Sequence, residues 1–173
     1  DLRGCPAPLP CGTAAAAGLG DLIVPELLLA AQRPDGRGRS YWCASDTFAT
    51  ALAVEALAAT PETTEAIARA GPWAQEALAS PELTSFEVAN LVIVTALAGE
   101  SDDSTVRRLT FTMLPDGSWP AGALLRVPHP HDTDPDAVTD WTPGGRIEGA
   151  VVEDLRRVFT TATVVHALTV PMR

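Results

Sequence analysis

The sequence predicts an all-α fold of antiparallel helical hairpins. Three observations predict it. Apolar residues make up 46% of the chain and recur at three and four rather than at two. Alanine and leucine, both good helix formers, are abundant, whereas aromatics make up only 5%. One unit also comes back: Pro34-Asp35-Gly36, the pair Tyr41-Trp42 and the helical stretch Asp46 to Ala58 are answered by Pro115-Asp116-Gly117, Trp119 and, after a long excursion, Val158 to Leu168.

Residues 1 to 20, rich in Pro, Gly and Ala, read as an irregular arm. Leu22 to Gln32 reads as a helix with Pro25 tolerated in its first turn, and the Pro-Asp-Gly turn ends it. Asp46 is read as the cap of the next helix, which runs to about Ala59. Thr60-Pro61-Glu62 starts a further helix, and Gly71 is its expected stop. A short helical turn from Trp73 to Ala79 follows. Thr84-Ser85-Phe86-Glu87 is a capping-box pattern that opens a helix to Ala98, with Gly99 beyond it. Asp102, Asp103 and Ser104 offer a cap for Thr105 to Leu114. Residues 120 to 150 lack helical periodicity and read as a long loop insertion, and Val151 or Val152 to Val170 reads as the last helix. The helix ends Ala56-Leu57, Ala96-Leu97 and Ala167-Leu168 align as three hairpins, and the whole of 1–173 is read as one helical-repeat domain.

Charge and composition narrow the function. Twelve basic against 22 acidic residues give a formal charge of −10, which disfavours nucleic acid or an anionic membrane surface as partner and leaves an apolar small molecule. Asp21 and Glu26 interrupt the only candidate membrane span, and the opening residues have no signal-peptide pattern. Cys5, Cys11 and Cys43 show no zinc-type spacing. Free thiols are expected, in a cytoplasmic protein.

The repeated residues resemble the repeats of the squalene-hopene cyclase and protein prenyltransferase superfamily. The resemblance rests on Gln32-Arg33-Pro34-Asp35-Gly36 with Tyr41-Trp42, on Leu114-Pro115-Asp116-Gly117-Ser118-Trp119, and on Phe48-Ala49-Thr50-Ala51 and Phe159-Thr160-Thr161-Ala162. It implies a partial or reduced α/α toroid around an apolar cavity, completed by a second chain or a missing segment, because six hairpins need roughly 240 residues. The activity it implies is folding of a long isoprenoid or polyene substrate for cyclisation or isomerisation in natural-product biosynthesis. Two departures bear on mechanism. Where protonating cyclases carry D-x-D-D this chain has Asp46-Thr47-Phe48-Ala49, and Thr160 stands where the zinc-binding His of a prenyltransferase is expected. No cofactor or metal is implied. A non-catalytic helical module that binds a lipid or a protein is the alternative, and an enclosed cavity of several hundred Å³ separates the two.

If the family's donor position faces the cavity, residues four and seven further on share its face. That face holds Phe48, Leu52 and Glu55 in the first repeat, Val88, Val92 and Thr95 in the middle one, and Phe159, Thr163 and His166 in the last. Glu55 and His166 form a candidate acid/base pair; the bland alternative is a solvated charge and a satisfied histidine. Asp46 is carried as a third catalytic candidate besides its capping role. Trp42, Trp119 and Trp141 are candidates to wall the pocket or face a cation, the first two equally suited to locking turn to helix. The run His129 to Asp136 either offers oxygen and imidazole ligands to a metal or forms solvated turns.

Overall fold

Val88 to Ala98 carries no charge, and it becomes the centre of the molecule. A computed structural model describes residues 24–39, 43–100, 103–127, 129, 131, 141–143 and 149–171. Within them the chain forms α1 (Val24–Ala31), α2 (Asp46–Ala58), a 3-10 turn (Pro61–Thr63), α3 (Thr64–Leu78), α4 (Ser85–Ala98), α5 (Asp103–Phe111), β1 (Ala123–Val127), β2 (Thr142–Pro143), β3 (Ala150–Glu153) and α6 (Val158–Thr169). Every residue from Val88 to Ala96 is buried, as expected of a helix that is apolar all round. Helices α2, α3 and α6 pack around α4, so the expected neighbours are adjacent. Small buried residues on α2, Ala49, Ala51 and Ala53, let it lie close to its neighbours.

The repeated turns match bond for bond. In the first, Gly36 N–H donates to Arg33 O and Arg33 N–H to Arg37 O; in the second, Gly117 N–H donates to Leu114 O and Leu114 N–H to Ser118 O. Beyond the turn, Gly38 N–H donates to the Thr50 hydroxyl at 3.0 Å, and Trp119 N–H donates to the Thr161 hydroxyl at 3.4 Å. Each turn is thereby tied to its threonine-bearing helix although about 30 more residues intervene in the second copy. Hydrogen bonds from Ser118 and the nearby Arg157 hold the Asp116 carboxyl below its ordinary pKa. Partial burial pushes Asp35 up, but the Arg37 N–H and guanidinium outweigh it and leave that carboxyl lowered too.

Gln32 explains its place in the repeat. Its amide donates to Gly36 O and Ala66 O and accepts from the Arg69 guanidinium, stapling the first turn to α3. Met113, its counterpart in the second turn, is 49% exposed. The first turn is also the more crowded. Gly36 has φ +85°, and a Cβ there would lie 2.4 Å from Ala70 N, whereas Gly117, at φ +80°, has nothing within 4 Å. Gly117→Ala should therefore cost about 1–2 kcal/mol from left-handed strain alone, and Gly36→Ala distinctly more. Denaturant unfolding that finds the two equal would contradict this packing.

Several boundaries differ from the sequence expectation. The cap residue of α2 is Ser45, and Asp46 is the first helical residue. Gly71 does not stop a helix: α3 continues through Pro72 to Leu78, and the Glu100 carboxylate packs where a Cβ on Gly71 would lie. The expected loop over 120 to 150 contains strands, in the order β1-β3-β2, with β1 antiparallel and β2 parallel to β3. The last helix starts at Val158 rather than at Val151 or Val152. The β-branched pair Val151-Val152 joins the sheet, and the Asp154 carboxylate accepts the Thr160 N–H at 2.7 Å, which fixes the new start. The arm 1 to 20 lies outside the described residues. Among the described residues no helix is long and apolar enough to cross a membrane.

Candidate functional site

Helices α2 and α6 flank α4 and meet across it at two levels. At the first, Phe48 of α2, Phe86 of α4 and Phe159 of α6 form a triangle with ring centroids 5.2, 6.1 and 6.4 Å apart. Phe86 is 1% exposed while Phe159 is 52% exposed, so the triangle has a buried base and an open edge. The Phe48 and Phe159 rings meet at 90°, the edge-to-face geometry that aromatic quadrupoles favour. At the second level, seven residues along both helices and about 10 Å away, Glu55 Oε1 lies 2.5 Å from His166 Nε2. The two positions sit on the faces of Phe48 and Phe159, with Leu52 and Thr163 between the levels.

The pair is open to solvent. The side chains of His166 and Glu55 are 53% and 30% exposed, so the burial that would make pairing obligatory is absent within the described residues. The imidazole lies in the last turn of α6, where the helix dipole favours positive charge. Thr163 uses its hydroxyl within its own helix, donating to Phe159 O.

The middle repeat needs correction. Val88, Val92 and Thr95 are buried in the core, and the Thr95 hydroxyl donates to Val92 O; none faces the opening between α2 and α6. Phe86 takes that place. Alignment on shared helix ends sets Phe48 opposite Val88, two residues past Phe86, and it is the packing of the three helices that brings Phe86 to the other two rings. Trp119 is likewise a core residue, 4% exposed, and its ring N–H donates to Leu109 O at 2.7 Å. Its role is to lock turn to helix. Trp119→Phe should cost about 1 kcal/mol by removing one buried hydrogen bond, the Leu109 carbonyl keeping its bonds from the Thr112 N–H and hydroxyl, a loss that thermal unfolding reads directly; unchanged stability would count against that role.

The remaining candidates sort as follows. Asp46 lies off the aromatic face, with its carboxylate 3.5 Å from Arg33 and 3.6 Å from Arg37, and is part of the turn's ion-pair cluster. Trp42 lies outside the described residues. The Trp141 ring faces the Arg126 guanidinium at 5.5 Å, so its cation-facing side has a cation from this chain. Of the His129–Asp136 run only His129 and His131 are described, and no group of three metal-ligating side chains occurs among the described residues. Thr160, in the prenyltransferase His place, is fully buried with an unpartnered hydroxyl.

Two pockets among the described residues are lined by other residues than this face, and neither is the enclosed apolar cavity expected. A pocket of about 10 Å³ lies beside Leu28, Ala53, Val54 and Leu57, room for a single water at most. An open cleft of about 700 Å³ lies against α3, lined by Asp35, Arg37, Arg69, Trp73 and Glu76, with the Arg37 guanidinium 5.8 Å over the Trp73 ring. Its charges make it a poor seat for a hydrocarbon chain.

No protein-family model and no curated protein matches the sequence. Solved structures do. The type II terpene cyclase MstE from Scytonema superposes with a TM-score of 0.80 at 28% identity, over 92% of this chain and 54% of its own. The fold is terpene-cyclase-like. A protein from Actinoplanes matches at 37% identity and TM-score 0.80, again over 92% of this chain and 54% of its own. The ent-copalyl diphosphate synthase from Streptomyces platensis, at 23% identity, TM-score 0.58 and 29% of its length, agrees in fold. This terpene-cyclase-like chain thus spans about half the length of MstE and of the Actinoplanes protein. MstE has been solved with geranylgeranyl dihydroxybenzoate as substrate and with merosterolic acid A as product.

Proposed function

We propose that the chain supplies one wall of the active site of a terpene-cyclase-like enzyme, which folds a long isoprenoid or polyene substrate against α2, α4 and α6 and cyclises or isomerises it in a natural-product pathway. One observation carries this reading: an aromatic triangle and a carboxylate–imidazole pair share one face, two helical turns apart, in a chain with this fold. The Phe48 and Phe159 ring faces suit a carbocation, and Glu55 with His166 suits proton transfer near neutrality. The overall charge of −10 favours a positive intermediate as well. Phe48 occupies the family's donor position, so this wall supplies no aspartate there and contributes positioning; it calls for no cofactor. Location in the cytoplasm belongs to the same reading and rests on the odd number of cysteines, three.

An open wall also asks for a second one. Val158, Phe159 and Val165 leave the outer face of α6 apolar and about half exposed or more, and the chain covers only 54% of MstE. A further helical unit, in the same or another chain, is proposed to close the groove. Incubation with geranylgeranyl dihydroxybenzoate, followed by separation of products of unchanged mass, tests the activity; recovery of only the starting compound under all conditions defeats it. The alternative, a non-catalytic lipid- or protein-binding module, draws its support from the solid core beside a 10 Å³ pocket, and predicts retention of the apolar ligand without conversion.

A further inference from the structure

We infer that His166 Nδ1 is the base that ends the reaction by removing a proton, and that Glu55 is the residue that positions it; this rests on the proposed cyclase activity. The Glu55 carboxylate lies against Nε2, and an ionised carboxylate only accepts hydrogen bonds. Nε2 therefore carries the hydrogen, and in the neutral ring the lone pair is on Nδ1. Among the described residues no other hydrogen bond engages this ring, and more than half of the side chain is accessible. The carboxylate and the α6 C-terminus both stabilise the imidazolium that forms, the arrangement that makes an imidazole an effective acceptor.

Acidity decides the direction. An imidazolium, whose ordinary pKa is about 6.5, is far too weak an acid to protonate an alkene. The starting cation is therefore made by a stronger acid, of the carboxylic class, elsewhere in the complete site. Positive charge then moves along the substrate as carbon–carbon bonds form, past the phenylalanine triangle and toward His166. There the Nδ1 lone pair takes a proton from the carbon beside a tertiary carbocation, the electron pair of that C–H bond becomes the new double bond, and the cation is discharged. The imidazolium passes its proton to water at the exposed ring edge.

Two measurements test this, the first on the chain and the second on the complete site, the chain together with the helical unit that closes its groove. With 15N-labelled histidine at about pH 8, above the ordinary imidazole pKa, the His166 signals, assigned by their loss in His166→Asn, should show hydrogen on Nε2 and a bare Nδ1, and Glu55→Gln should weaken that preference. Hydrogen on Nδ1 overturns the inference whether or not turnover is seen. With geranylgeranyl dihydroxybenzoate, His166→Asn should go on consuming substrate, but the wild-type alkene should fall by about 10²-fold or more, replaced by alcohols from water capture or by other alkene isomers. An unchanged alkene from His166→Asn overturns the assignment and leaves the cyclase reading standing; no consumption by the wild type overturns the cyclase reading and this inference with it.

Discussion

Phe86→Ala should destabilise the protein by about 3–5 kcal/mol, on the order of 10 °C in melting temperature for a chain of this size. Phe86 is 1% exposed and is the base on which the Phe48 and Phe159 rings rest, so its removal leaves a cavity beneath both. Phe159→Ala should behave oppositely. That ring is 52% exposed, its burial contributes correspondingly less, and its loss should cost about 1 kcal/mol while removing the open edge of the aromatic face. Measured together on each variant, unfolding and retention of an isoprenoid ligand should separate: Phe86→Ala loses stability first, Phe159→Ala loses ligand with near-native stability. A Phe159→Ala protein that keeps its ligand fully would take the triangle out of the site.

The second large effect concerns the pair. Glu55→Gln and His166→Ala should each lower formation of the wild-type product by about 10² to 10⁴, and the double variant should lose little more than the worse single, because groups that act as one unit are not additive. The 2.5 Å contact joins α2 and α6 across α4, so each residue depends on the other for placement. Losses that multiply in the double variant would make the two groups independent. Wild-type product formation in both single variants would leave positioning by the apolar wall as the whole contribution of this face.

Most of the fold was legible because its signals are local. The capping box at Thr84 and Glu87 forms as expected, with the Thr84 side chain accepting the Glu87 N–H and the Glu87 carboxylate accepting the Thr84 N–H, and the two Pro-Asp-Gly turns announced their helices. The first and last repeats were also placed in correct register, which is why Glu55 and His166, 111 residues apart, could be paired on paper. Other features depend on contacts that sequence does not display. Helix α3 runs through Gly71-Pro72 with Ala66, Ile67, Ala70 and Ala74, on both sides of that pair, buried in one core, packing that the local Gly-Pro signal does not show. The short strands β1 and β2 form only because each pairs with β3, and β1 reaches the start of α2 through the Cys43–Leu125 bridge. Phe86 lies two residues before the position that matches Phe48 in the repeat, so only the packing of α4 against α2 and α6 brings it to the other rings. The openness of the site is likewise a property of what covers α6, and periodicity within α6 carries no record of that.

The central claim, that an isoprenoid lies between α2 and α6, is tested most directly by photo-crosslinking. A geranylgeranyl compound carrying a diazirine is bound to the protein, irradiated, and the modified residues are mapped by mass spectrometry. The account predicts adducts around Phe48 and Leu52 on α2 and around Phe159 and Thr163 on α6, displaced by excess geranylgeranyl dihydroxybenzoate. Adducts confined to the charged cleft at Arg69 and Trp73, or scattered without displacement, would contradict it.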